Sequence, residues 1–80
     1  MLVEITGHAL DRFRERFPAI AGESPEASLR ALLRASRPAK RLPNGQWLAR
    51  RGEVTVVMQR GTNGVPCAIT VLRKGDDNES

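Results

Sequence analysis

The stretch RPAKRLPNGQWLARRGEVTVVMQRGTNGVPCAITVLR (37–73) decides the fold. Its pattern is alternating rather than helical, and PNG (43–45), RG (51–52) and GTNGVP (61–66) punctuate it. Three turns therefore separate four strands, expected over about residues 39–42, 46–50, 53–59 and 67–73. Connections this short join antiparallel neighbours, because a parallel return needs a crossover of about a dozen residues or more. In the last strand, alternation sets Cys67, Ile69 and Val71 against Ala68, Thr70 and Leu72, with Thr70 its only hydroxyl.

Upstream of this stretch the spacing is helical. Ser24, Pro25 and Glu26 combine an N-cap hydroxyl, a proline at the first helical position and an early carboxylate, which predicts a helix from residue 25 to about 36, before Pro38. Leu29, Leu32 and Leu33 form its core stripe, with Arg30 and Arg34 outside in solvent. Before it, Thr6 is a candidate N-cap for a helix over residues 7–17 that Pro18 helps to end. AIAGES (19–24) is then a connection, and LVEI (2–5) an extended entry segment. The expected fold class is α+β, with two N-terminal helices packed on a four-stranded antiparallel sheet. Residues 1–74 form one domain in this reading, and residues 75–80 a disordered acidic tail.

Eighty residues are too few for two ordinary domains. Aromatic residues are scarce, with Phe13, Phe17 and Trp47 and no tyrosine, so Ile, Leu and Val must carry the packing. A monomer and a homodimer are both compatible with a core of this size. Cys67 is the only cysteine and His8 the only histidine, so neither an internal disulfide nor a zinc ligand set is expected; no metal and no cofactor is implied. Reduced cysteine usage suits the cytoplasm. The N-terminus lacks the apolar core of an export signal, and the longest near-apolar run, residues 54–58, is too short to cross a bilayer, so no membrane partner is expected.

The net charge is +4, and without the three carboxylates of the tail the body carries +7. Eleven of the thirteen cations are arginine, whose planar fork suits phosphate and carboxylate. Anionic partners are therefore favoured by steering and by counterion release. On the first helix, Ala9, Leu10, Phe13, Phe17 and Ile20 share an arc of about 100° that faces the core. His8, Arg12 and Arg16 follow at i, i+4 and i+8 as a ridge beside that arc. Two like charges at i, i+4 destabilise a helix by roughly 0.2–0.5 kcal/mol, which a bound anion would relieve; Glu15 and Glu4 are the candidates for doing so internally. His8, in the first turn beside two arginines, is placed to accept a proton, or simply to cap and pack. Lys40, Arg41, Arg50 and Arg51 add charge to the first hairpin, and alternation lets at most one of Arg50 and Arg51 join the helix ridge. Trp47 can stack a base or belong to the core.

Taken together, ITGHALDRFRERF (5–17), VTVVM (54–58) and ITVL (69–72) resemble a family of small bacterial and phage proteins of RelE-like type, largely of unknown function. The shared pattern is a His-Ala pair, arginines four and eight residues after the His, and a closing strand with a Thr between aliphatics. Here these are His8, Ala9, Arg12, Arg16 and Thr70. The resemblance implies the fold of RelE, barnase-like and colicin-type RNA-cleaving toxins, with N-terminal helices on a curved antiparallel sheet. By that resemblance His8 is the general base or acid, Arg12, Arg16 and Arg50 stabilise the phosphate, and Thr70 positions a phosphate oxygen or the histidine.

Two readings follow. The first is a toxin-type RNA-binding protein acting as a metal-independent endoribonuclease, with His8, Arg12, Arg16 and Thr70 in the catalytic site, Arg12, Arg16, Lys40, Arg41 and Arg50 on RNA, and an antitoxin as partner. The second is a non-catalytic phage or mobile-element protein that docks on nucleic acid or a host protein. One histidine and no tyrosine leave the second proton carrier to Glu4, Glu15, Glu53, a lysine or water, which favours binding over cleavage.

Overall fold

Thr6 begins the first helix as its sequence position suggests: it is extended, at φ −75° and ψ 158°, and its side chain accepts the amide proton of Ala9. In the computed structural model, which describes residues 2–73, the elements run β1 (Glu4–Ile5), α1 (Gly7–Arg16), α2 (Pro18–Ala21), α3 (Pro25–Ala35), β2 (Arg37–Arg41), β3 (Trp47–Arg51), β4 (Val54–Arg60) and β5 (Pro66–Arg73). The expected acidic tail lies outside the described residues.

The four expected strands form the antiparallel order β5-β4-β3-β2, and a fifth corrects the topology. β1 pairs parallel to β5, with Glu4 opposite Cys67 and Ile5 opposite Ala68, so the sheet is mixed and runs β1-β5-β4-β3-β2. Two residues carry no alternation to read, and their partners lie more than sixty positions away. The helices also number three rather than two. Pro18 does stop α1, with Phe17 leaving helical geometry at φ −136° and ψ 60°, but it is equally suited to open a new turn, and does so. Because the helix breaks there, the arc expected to continue to Ile20 does not; Ile20 is 47% exposed. Ser24 precedes α3 but makes no side-chain cap bond, while the Ser28 hydroxyl donates to the Ala21 carbonyl.

Helices α1 and α3 pack on one face of the sheet, and α2 packs against both of them. Ala9, Phe13 and Phe17 with Leu29 and Leu33 pack against Ala49, Val54, Val56, Met58, Ala68 and Val71, and Trp47 lies partly buried at the margin of that cluster. Ala68 and Val71 are three residues apart yet both face the helices, which simple alternation forbids. A bulge explains it: Val57 pairs with Thr70 and Met58 with Ala68, leaving Ile69 as the extra residue. The expected alternation therefore fails before the bulge: Ala68 shares the helix-side face of Val71, and Cys67, opposite Gln59, falls on the face of Thr70 and Leu72. Leu48, Arg50, Thr55, Val57, Thr70 and Leu72 fall on the opposite, helix-free face.

Arg30 is a further correction. Its Nη1 donates to the Val3 carbonyl at 2.6 Å, tying α3 to the N-terminal segment, whereas Arg34 is exposed as expected.

Candidate functional site

The ridge on α1 forms with the expected spacing but is not an open cluster of cations. His8 is exposed. Arg12 is held by Glu15 at 2.8 Å and Arg14 by Asp11 at 2.8 Å, each one helical turn away. On α3, Arg30 pairs with Glu26 at 2.9 Å. Arg16 is half-buried at the end of α1, where its carbonyl accepts a bond from Nη2 of Arg73 at 3.2 Å. Helix charge is thus largely compensated within the helices. Glu15 performs the compensation considered for it.

Arg50 and Thr70 do not join this ridge. Ala49 and Val71 point into the helix-packed core, so their neighbours Arg50 and Thr70 face the other way, with the sheet between them and α1. Arg51, paired with core-facing Val54, is the member of that dipeptide on the helix side. On the helix-free face, Arg50 Nε donates to the Thr55 hydroxyl at 3.2 Å, across the β3–β4 pair. Thr55 is 1% exposed and is the buried polar residue of the described chain. Lys40 lies opposite Leu48, sharing Arg50's face, while Arg41 lies opposite Trp47 on the helix side.

Two residues of this region escape sequence reasoning. Arg37 pairs with Arg50 across β2 and β3, and Arg60 ends β4 beside the same hairpin. Arg37 precedes Pro38 at the helix exit, and only the strand register reveals that it faces Arg50.

The distribution of charge is sharply divided. Residues 2–36 carry five arginines and five carboxylates, whereas residues 37–73 carry six arginines and Lys40 against Glu53 alone. The net positive charge of the described residues therefore belongs to the sheet. Beside the β2–β3 hairpin lies an open groove of about 730 Å³, bordered by Lys40, Arg41, Pro43, Gln46, Trp47 and Arg60, with no acidic residue in its walls. A second hollow, about 370 Å³ between α1 and the start of α3, is bordered by Asp11, Glu23 and Glu26 with Arg14, the wrong balance for an anion. Among the described residues, no three His, Cys, Asp or Glu side chains gather as a metal site would require. No described helix is long and apolar enough to cross a membrane.

The course of the chain is similar to that of a chain in the toxin–antitoxin complex RelBE2 from Mycobacterium tuberculosis, with a TM-score of 0.56 and 22% identity over 89% of this chain and 94% of that one. The fold is RelE-like. No family model matches the sequence, and no curated protein matches it. A RelE-like fold agrees with the expectation of helices on one face of a largely antiparallel sheet, and at this identity the likeness extends to the fold alone.

Proposed function

We propose that this RelE-like chain is a toxin-type protein that binds RNA through the β2–β3 side of its sheet. The observation that carries the reading is the division of charge: seven cations against one carboxylate in residues 37–73, beside helices in which Arg12, Arg14 and Arg30 are each held by an acid of their own helix. Such a surface gains affinity for a phosphate backbone by releasing counterions. Arg37, Lys40 and Arg50 on the helix-free face and Arg41 and Arg60 on the other supply the contacts around the β2 edge, and the α1 ridge contributes little. The similar solved chain comes from a toxin–antitoxin complex, and by that analogy a protein antitoxin with an acidic surface competes with RNA here.

Binding of a single-stranded RNA across a salt series tests this. Five backbone contacts predict a slope of log affinity on log salt of about −3.5, since each contact contributes roughly −0.7 on single strands. Lys40→Ala with Arg41→Ala should lower the slope by about 1.4 units, and Arg12→Ala should leave it unchanged. Salt-insensitive binding, or equal losses in both variants, would refute the assignment. The reading is binding without His8-dependent cleavage, because the sheet separates His8 from Arg50 and Thr70. RNA incubated in EDTA should therefore show no 2′,3′-cyclic phosphate ends that disappear in His8→Ala; such ends would restore the nuclease reading.

A further inference from the structure

We infer that Trp47 is a stacking platform for one unpaired RNA base, with Arg41 and Arg60 holding the flanking phosphates, an inference that rests on the RNA-binding reading above. Strand register places the three together. Arg41 is directly opposite Trp47, and Trp47 is directly opposite Met58. Arg60, two residues beyond Met58 on the same regular strand, shares their face. Trp47 packs partly against the core while also forming a wall of the 730 Å³ groove. Core contact immobilises the ring, so a base stacking on it finds a surface already ordered.

The groove is the right size and charge for a nucleotide unit. Pockets for small organic groups run about 300–1,000 Å³. Its walls contain three cations and no carboxylate. Pro38 and Pro43 stiffen the edge, and Pro38 has no amide proton with which to pair an added strand. The polar side chain best placed to read a base edge, Gln46, is already engaged: its amide nitrogen donates to Gln59 at 3.0 Å, and its oxygen accepts from Asn44 at 3.2 Å. Recognition therefore rests on the π-face and the phosphates, which every base offers alike. A duplex hides those faces, so the ligand is single-stranded.

Trp47 is the only tryptophan and the chain has no tyrosine, so intrinsic fluorescence reports on this groove alone. The full chain is titrated with an end-labelled RNA octamer, with an abasic octamer of equal charge, and with polyglutamate, following anisotropy and tryptophan emission together. The expected result is quenching by the base-bearing octamer only, with affinity about tenfold or more above that of the abasic strand. Trp47→Leu should lose that difference, and Trp47→Phe should keep most of it. Equal binding of both octamers with unchanged emission would overturn the stacking site and leave the RNA surface standing. Quenching by polyglutamate would assign the groove to an acidic peptide instead. No binding of either octamer would overturn the RNA reading itself.

Discussion

The Thr6 hydroxyl lies 3.1 Å from the Ala68 carbonyl, 62 residues away in the chain, and also accepts the amide proton of Ala9 at 3.1 Å. One side chain thus caps α1 and fastens it to the bulged start of β5, where the Ile69 carbonyl is a second acceptor at 3.1 Å. Thr6→Val keeps the shape and removes the hydroxyl, and should cost about 1–3 kcal/mol in urea unfolding, the loss of a cap plus a partly buried tertiary bond. Thr6→Ser should recover most of it. Ser24 precedes α3 without a cap bond, so Ser24→Ala should fall within about 0.5 kcal/mol of the parent.

Arg30 offers a similar contrast between two charges on one helix. Its bond to the Val3 carbonyl is short and partly buried, whereas its bridge to Glu26 is at the surface. Hydrogen bonds to charged groups contribute about 1.5–3 kcal/mol, reduced here because the side chain remains partly exposed. Arg30→Ala should therefore cost about 1–2 kcal/mol, while Glu26→Gln and Arg34→Ala each stay within about 0.5 kcal/mol. Thermal unfolding of the three variants side by side measures it.

Much of this fold can be read from residue types because its signals are local. Thr6 as a cap, the Leu29 and Leu33 stripe, Pro25 at a helix start and the three turns are all set by neighbours in sequence. What could not be read depends on distant partners. β1 exists because Glu4 and Ile5 meet β5, and the bulge at Ile69 exists because Ala68 and Val71 must both reach the helices. The candidate site follows the same rule. Spacing correctly aligned His8, Arg12 and Arg16 and correctly set Arg50 and Arg51 on opposite faces, but it carries no information about which face the helices cover. That single choice separates Arg50 and Thr70 from the ridge on α1.

Two glycines should respond to alanine with opposite signs. Gly7 opens α1 with nothing within 4 Å of the position a Cβ would take. Gly7→Ala should stabilise by about 0.4–1 kcal/mol, chiefly by restricting the unfolded chain. At Gly61 a Cβ would lie 2.9 Å from the Val65 carbonyl oxygen, which itself accepts the Gly61 amide at 2.8 Å. That oxygen is backbone held in the β4–β5 turn and cannot swing aside, so Gly61→Ala should destabilise by about 1–3 kcal/mol. A midpoint shift of the same sign for both would contradict the turn geometry.

The Arg50–Thr55 bond makes the helix-free face separable from the α1 ridge by mutation. Thr55 is buried and its hydroxyl accepts Arg50 Nε, orienting the guanidinium of a residue that stands opposite Arg37 in the strand register. Thr55→Val is nearly isosteric, so stability should change by no more than about 1.5 kcal/mol while the guanidinium loses an orienting partner. RNA affinity should then fall about two- to threefold in Thr55→Val and about tenfold in Arg50→Ala, the larger loss being that of a charged contact. Thr55 acts through Arg50 as a positioning residue, so in the Arg50→Ala background Thr55→Val should have no further effect on binding. His8→Ala should bind RNA as the parent does. If His8→Ala loses more affinity than Arg50→Ala, the ridge on α1 and not the sheet is the anion surface.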